Sequence, residues 1–171
     1  LVTVTSGGGG DTHFMIDVVG YFVPTTAAPQ AGVLTPITPV RAYDSRTIAG
    51  GRLAAGANVT LPVATTANLP GDATAIAYNI TAVNTTAGGY LTVAPGNSTA
   101  AGSSSVNWTR AGDVVANGLI VGLDERGAIS VRAGCSGTDF IVDIVGYYTP
   151  AAATPQGAAS YPMTPSRAYN S

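Results

Sequence analysis

Apolar and polar residues alternate with a period of two along much of this chain. Leu1–Thr5 alternates, and so does Ala57-Asn58-Val59-Thr60-Leu61-Pro62-Val63. The longest run is Ala73–Val83, where Ile76, Tyr78, Ile80 and Ala82 share one face and Ala77, Asn79, Thr81 and Val83 the other. That period marks a half-buried strand. Further strand-like runs are Phe14–Phe22, Thr38–Arg46, Tyr90–Ala94, Ser103–Thr109, Val114–Leu123, Ala128–Ala133 and Asp139–Tyr148. Gly7–Gly10, Leu69-Pro70-Gly71-Asp72, Ala87-Gly88-Gly89, Pro95-Gly96-Asn97 and Asp124-Glu125-Arg126-Gly127 supply the turns. No window carries an apolar period of 3.6. About eight short strands spaced by roughly 8–12 residues predict an all-β fold, an antiparallel β-sandwich of immunoglobulin-like or jelly-roll-like kind.

One stretch occurs twice. Phe14-Met15-Ile16-Asp17-Val18-Val19-Gly20-Tyr21-Phe22 returns as Phe140-Ile141-Val142-Asp143-Ile144-Val145-Gly146-Tyr147-Tyr148, an offset of 126 residues (140 less 14). The offset also carries Pro24 to Pro150, Pro29-Gln30 to Pro155-Gln156, and Pro39–Ser45 to Pro165–Ser171. An internal repeat at fixed period implies tandem units. The chain then divides into a closing hairpin of a preceding unit (1–22), a Pro/Thr/Ala linker (23–35) and a complete sandwich (36–148). A second linker (149–160) and the first strand of a following unit (161–171) complete the division. The chain begins at Leu1, inside a unit, and reads as a window onto a longer polypeptide.

Composition narrows the function. Only 9% of residues are charged, against roughly 25% in an ordinary soluble domain. All seven basic residues are Arg, and the net charge is −2; a nucleic-acid surface needs a basic patch instead. No apolar run approaches the roughly 20 residues of a membrane-spanning helix. The lone Cys135 permits no disulfide within the chain and no thiolate cluster.

An ordered set of motifs carries a family resemblance. It comprises Leu34-Thr35-Pro36, Arg41-Ala42-Tyr43-Asp44-Ser45-Arg46, Ala75–Val83, Gly89-Tyr90-Leu91-Thr92-Val93, Ser105-Val106-Asn107-Trp108, Val115-Ala116-Asn117-Gly118 and Phe140–Tyr148. In that order they resemble a tandem β-sandwich repeat of secreted and surface proteins of high-GC Gram-positive (actinobacterial) bacteria. The resemblance implies an extracellular or cell-surface structural module with no established activity. Such repeats often carry a Cys on the strand equivalent to Ile129–Arg132 and a partner near Ala94–Gly96. This chain has neither.

Few residues suggest chemistry. Asp143, and its copy Asp17, lie inside apolar strands, where a carboxylate must be paired or neutral. The expected partners are Arg41 and Arg46, with Arg167 in the second copy; the pair would lock first strand to last. His13 is the only histidine and Glu125 the only glutamate, so neither a triad nor a zinc site is offered. Asp11, Asp72, Asp113 and Asp124 are scattered and lack the spacing of a calcium loop. No cofactor or metal is expected, and no enzymatic activity. Trp108, Tyr90, Tyr147 and Tyr148 are candidates for a sugar-binding platform, against the plainer reading of core and rim packing. Asn58, Asn79, Asn84, Asn97 and Asn107 match the glycosylation pattern, Asn97 in the most accessible setting.

The expectation is a structural repeat module of an extracellular filament, stalk or surface adhesin, assembling head to tail through β-strand packing. Its partners would be neighbouring copies of itself. The alternative is a carbohydrate- or cell-wall-binding sandwich, with surface glycans as partner. A linker of about a dozen residues spans about 40 Å when extended, so successive units are expected to sit end to end.

Overall fold

The strand Ala75–Val83 keeps the alternation of its sequence: every second residue, from Ile76 to Ala82, is buried. Nine further strands assemble around it in the computed structural model, which describes residues 15–24, 33–48, 51–98, 103–150 and 158–170. In chain order they are β1 (Met15–Pro24), β2 (Val33–Asp44), β3 (Asn58–Leu61), β4 (Ala75–Val83), β5 (Gly89–Pro95), β6 (Val106–Trp108), β7 (Val115–Gly122), β8 (Ile129–Gly134), β9 (Asp139–Thr149) and β10 (Ala158–Asn170). Among the described residues, helix is confined to one turn of α-helix, Val63–Thr66, and a 3-10 turn, Ser45–Thr47.

The strands form two antiparallel sheets. One runs β2-β9-β4-β7, and the other runs β3-β8-β5-β6. Side chains from both meet in a single apolar cluster, including Ile76, Tyr78 and Ile80 from β4 and Phe140, Val142 and Ile144 from β9. The second sheet contributes Leu91, Val106, Trp108, Ile129 and Val131. The chain is therefore an all-β sandwich. Burial pushes the Tyr78 hydroxyl up to about 12, as a phenol held away from water requires.

β2 begins three residues before the expected linker ends, and β10 starts at Ala158, inside the second linker. Those residues extend the strands because they find partners, Val33 opposite Thr149 and Ala158 opposite Pro24. Within β2 the register with β9 shifts between Pro36 and Val40, so the missing proline N–H groups fall at an irregularity. Leu1–Thr5 and Gly7–Gly10 lie outside the described residues.

Two features of the topology matter for function. Val33 lies opposite Thr149 on adjacent antiparallel strands, so the chain enters and leaves the sandwich at the same end. Beyond β2, the sheet continues into β10 and then β1. β10 meets β2 at Ala158 opposite Leu34 and pairs along its length with β1.

The core sets the stability. Replacing the fully buried Phe140 by Ala is expected to cost about 3–5 kcal/mol. Replacing Val114, which is 68% exposed, should change stability by less than about 0.5 kcal/mol. Urea unfolding of the two variants measures both.

Candidate functional site

The densest polar constellation among the described residues lies where β2 ends and β9 begins, opposite the end where the chain enters. Arg41 and Asp143 are cross-strand neighbours on the outer face of the sheet. The guanidinium grips the carboxylate with two bonds, Nε to Oδ1 at 2.9 Å and Nη2 to Oδ2 at 3.1 Å. Arg41 also reaches Asp44 at 3.5 Å. A register shift between Arg41 and Tyr43 then re-aims the strand. Past it, the Tyr43 ring stacks on Phe140 with centroids 4.9 Å apart.

Asp44 closes the strand. Its carboxylate accepts from the Arg46 backbone N–H at 3.1 Å and from the Arg46 guanidinium at 2.8 and 2.7 Å. These bonds hold Asp44 at about 2, from 3.8. Ser45 turns inward. Its hydroxyl donates to Asp139 Oδ1 at 3.0 Å and accepts from the Phe140 backbone N–H at 2.9 Å. The other Asp139 oxygen accepts from Arg52 at 3.1 Å and Asn84 at 3.0 Å. Burial pushes the Asp139 carboxyl up, but Asn84, Ser45 and Arg52 more than offset it, and the carboxyl stays below its usual range. Three chain segments far apart in sequence are thereby tied to the start of the last strand.

The expected Asp143 pair thus exists with Arg41, with two corrections. Arg46 does not reach Asp143; the 3-10 turn at Ser45–Thr47 folds it back onto Asp44. The pair is not buried, since the two side chains are 52% and 26% exposed. Period two carries Asp143 to the outer face, away from its apolar neighbours Val142 and Ile144. The buried carboxylate of this strand is Asp139, at its first position. Sequence reasoning missed it because Asp139 adjoins a predicted turn, where acids are common and exposed. For the second copy, backbone register sets Asp17 opposite Arg167.

The four aromatics do not form a platform. Trp108 is buried in the core, its ring N–H donating to the Ala87 carbonyl at 2.6 Å. Tyr90 lies over Gly134 of β8, where a Cβ would collide with its ring. Tyr147 packs against the core cluster from the other sheet. Tyr148 is a half-buried residue next to it on β9. Two sheets and both sides of the core separate these side chains.

The polar groups at both ends are taken up by structural bonds. Ser45 is 1% exposed and spends its hydroxyl on Asp139 and Phe140, so it meets no substrate. Among the described residues no group of three or more His, Cys, Asp or Glu side chains could hold a metal ion. At the end where the chain enters, an open cleft of about 680 Å³ lies between Ala64–Ala73 and Leu123–Gly127. Its buried carboxylate, Asp124, is already spent on the backbone N–H groups of Arg126 and Ala128 in the β7–β8 turn. Cys135 is exposed and free. Asn97 is exposed in its turn, whereas Asn84 is committed to Asp139.

No protein-family model matches this chain, and no curated protein or solved structure matches it.

Two outcomes test the polar lattice. Asp143→Ala should cost about 1 kcal/mol or less, as for an exposed ion pair. Asp139→Ala should cost about 1–3 kcal/mol, because the buried Ser45 hydroxyl loses its acceptor. Chemical denaturation of both variants gives the comparison.

Stability should also depend on pH in one direction. Asp44, Asp113, Asp124 and Asp139 are all lowered from 3.8, Asp113 first by the Thr109 N–H and Asp124 by the Ala128 N–H. A carboxylate with a depressed folded pKa contributes fully above its unfolded value and loses that contribution as pH falls through the folded one. The urea midpoint should therefore change little from about pH 7 to 5 and fall between about pH 4 and 2. Asp44→Asn should shrink that fall.

Proposed function

We propose that this chain is a structural repeat module of an extracellular filament, stalk or surface adhesin. In this reading it is built from tandem sandwiches of about 126 residues, joined in series by pairing of first-type and last-type strands. One observation carries the reading. β1 and β10 derive from different sequence copies, yet they pair in the register of β9 and β2. Met15 opposite Asn170 reproduces Ile141 opposite Asp44; Asp17 opposite Arg167 reproduces Asp143 opposite Arg41; Gly20 opposite Pro162 reproduces Gly146 opposite Pro36. Both register shifts recur at the equivalent places. A first strand and a last strand are thus matched to one another whichever copy supplies them. That interchangeability is what assembly by strand exchange requires.

The polar lattice supports the same reading. Its charges are paired with one another and fasten the first strand to the last. A cell-surface setting fits the low charge and the resemblance to actinobacterial surface repeats. The carbohydrate-binding alternative rested on an aromatic platform, and those rings are dispersed over both sheets.

Within one chain β1 and β10 satisfy each other, so exchange between chains is a mass-action equilibrium. Light scattering of the full chain over a wide concentration range should show multimers growing with concentration. Electron microscopy should show them as filaments. Arg167→Asp should weaken the association, and Asp17→Arg with Arg167→Asp should restore it. A chain that stays monomeric at every concentration overturns the proposal.

A further inference from the structure

The contact between β10 and β2 bears on how one unit is oriented against the next. This step rests on the reading of the sequence copies as units of one array. We infer that the unit opened by β2 and the following unit opened by β10 meet across a local two-fold axis at the outer edges of their first strands, and so point in opposite directions.

Three observations converge. The first is the contact itself. β10 pairs antiparallel with β2 through Ala158 opposite Leu34. The next position along sets Val33 beside Ala159, and the 126-residue offset makes these the same position in the two copies. An antiparallel contact in which a position faces its own equivalent is isologous, the pattern a two-fold axis produces. The equivalent strands then run away from one another, and the sandwiches they open run away with them.

The second is the path of the chain. Because Val33 lies opposite Thr149, each unit is entered and left at one end. A linear array with all units pointing the same way would need each connection to travel the length of a sandwich. β2 alone has 12 residues, about 40 Å at ~3.3 Å per residue. From Pro24 to Val33 the chain takes nine steps (33 less 24), at most about 32 Å fully extended. The connection is too short for an end-to-end row of parallel units, contrary to the expectation from linker length. It suffices to join two units at their common end.

The third is the edge. β2 turns one side to β9, and its other side is the one that receives β10. Leu34 is half-buried there, and no charged residue precedes Arg41 on the strand. Nothing repels an equivalent strand, whereas edges that must stay unpaired are commonly guarded by charge.

The contact has a consequence for display: the Arg41–Asp143 end of this unit and its equivalent in the following one point away from each other, and Cys135 travels with the first.

Electron spin resonance distances on the full chain test this. One nitroxide goes on Cys135, which lies at the outward end of the complete unit, and one on Asn170→Cys, at the outward end of β10. Two opposed strands of 11 steps each, from Val33 to Asp44 and from Ala159 to Asn170, put the labels about 60–80 Å apart at ~3.3 Å per residue. A defined peak in that range is the expected result. A peak below about 40 Å means that the units point the same way, and a broad distribution means that no fixed contact exists; either overturns the inference. Val33→Arg with Ala159→Arg, which sets like charges across the axis, should abolish the long peak, and Val33→Glu with Ala159→Arg should restore it. A short peak from a chain that still associates would refute the orientation and leave the proposed module standing. Loss of association alone would bear only on the module.

Discussion

The sandwich depends on pairing its first strand with its last. Arg41 and Asp143, which clasp across that pair, are 102 residues apart in sequence. Nothing local to either strand rewards this pairing, so the entropy of closing a long loop is spent before the contact forms. The structure concentrates directional bonds at that joint. A bidentate ion pair fixes the register on the outer face. Asp44 caps the turn that ends the first strand, and Ser45 reaches inward to Asp139 at the start of the last. Each member of the Arg41–Arg46 segment holds one of these positions. Ala42 fills the bulge and Tyr43 covers Phe140. The segment is thus a fastening.

The scarcity of charge gives that fastening its economy. Arg41, Arg46, Arg52, Arg110 and Arg126 each pair with an aspartate. Several of these acids cap turns as well, as Asp113 does for Thr109 and Arg110. Elsewhere hydroxyls and amides do the polar work: Thr85 holds the Arg110 carbonyl, Asn117 the Ser105 carbonyl. Such a surface repels its copies weakly. It also leaves edge strands without the usual guards: β7 has eight residues with no charge or proline, and Ile120 on it stays exposed.

Period two made the fold legible. Ala73–Val83, Asp139–Tyr148 and the turns between strands were readable because alternation and Gly/Pro punctuation report backbone geometry directly. The start of β2 was harder: Val33, Leu34 and Thr35 read as the end of a linker rich in Pro, Thr and Ala, yet they pair with β9. For the site, the Arg41–Asp143 pair was legible because both residues recur at a fixed offset. Its exposure was misjudged, because apolar neighbours in sequence are neighbours in space only on the same face of a strand. Arg52, Asn84 and Asp139 carried no signal of their own, and the recurrence of Ser45 as Ser171 did not reveal its partner. They meet only after four separate segments converge, and no local pattern encodes that convergence. The aromatic platform failed for the converse reason: four aromatics are easily grouped in a list, but sheet order assigns them to different surfaces.

The two sequence copies differ where the proposed roles differ. The cross-strand pair persists: Arg41 and Asp143 have Arg167 and Asp17 as equivalents. The fastening does not, since Asp44 becomes Asn170 and Asp139 becomes His13. Asparagine keeps an acceptor but loses the charge that holds Arg46, and a histidine cannot accept from three donors as the Asp139 carboxylate does. A β1–β10 joint therefore has the residues that set register and lacks those that make closure strong. For a unit that must stay shut, that would be a defect. For strands exchanged between copies it is an advantage, because a correctly registered but weaker joint can open and re-form until the array is in order.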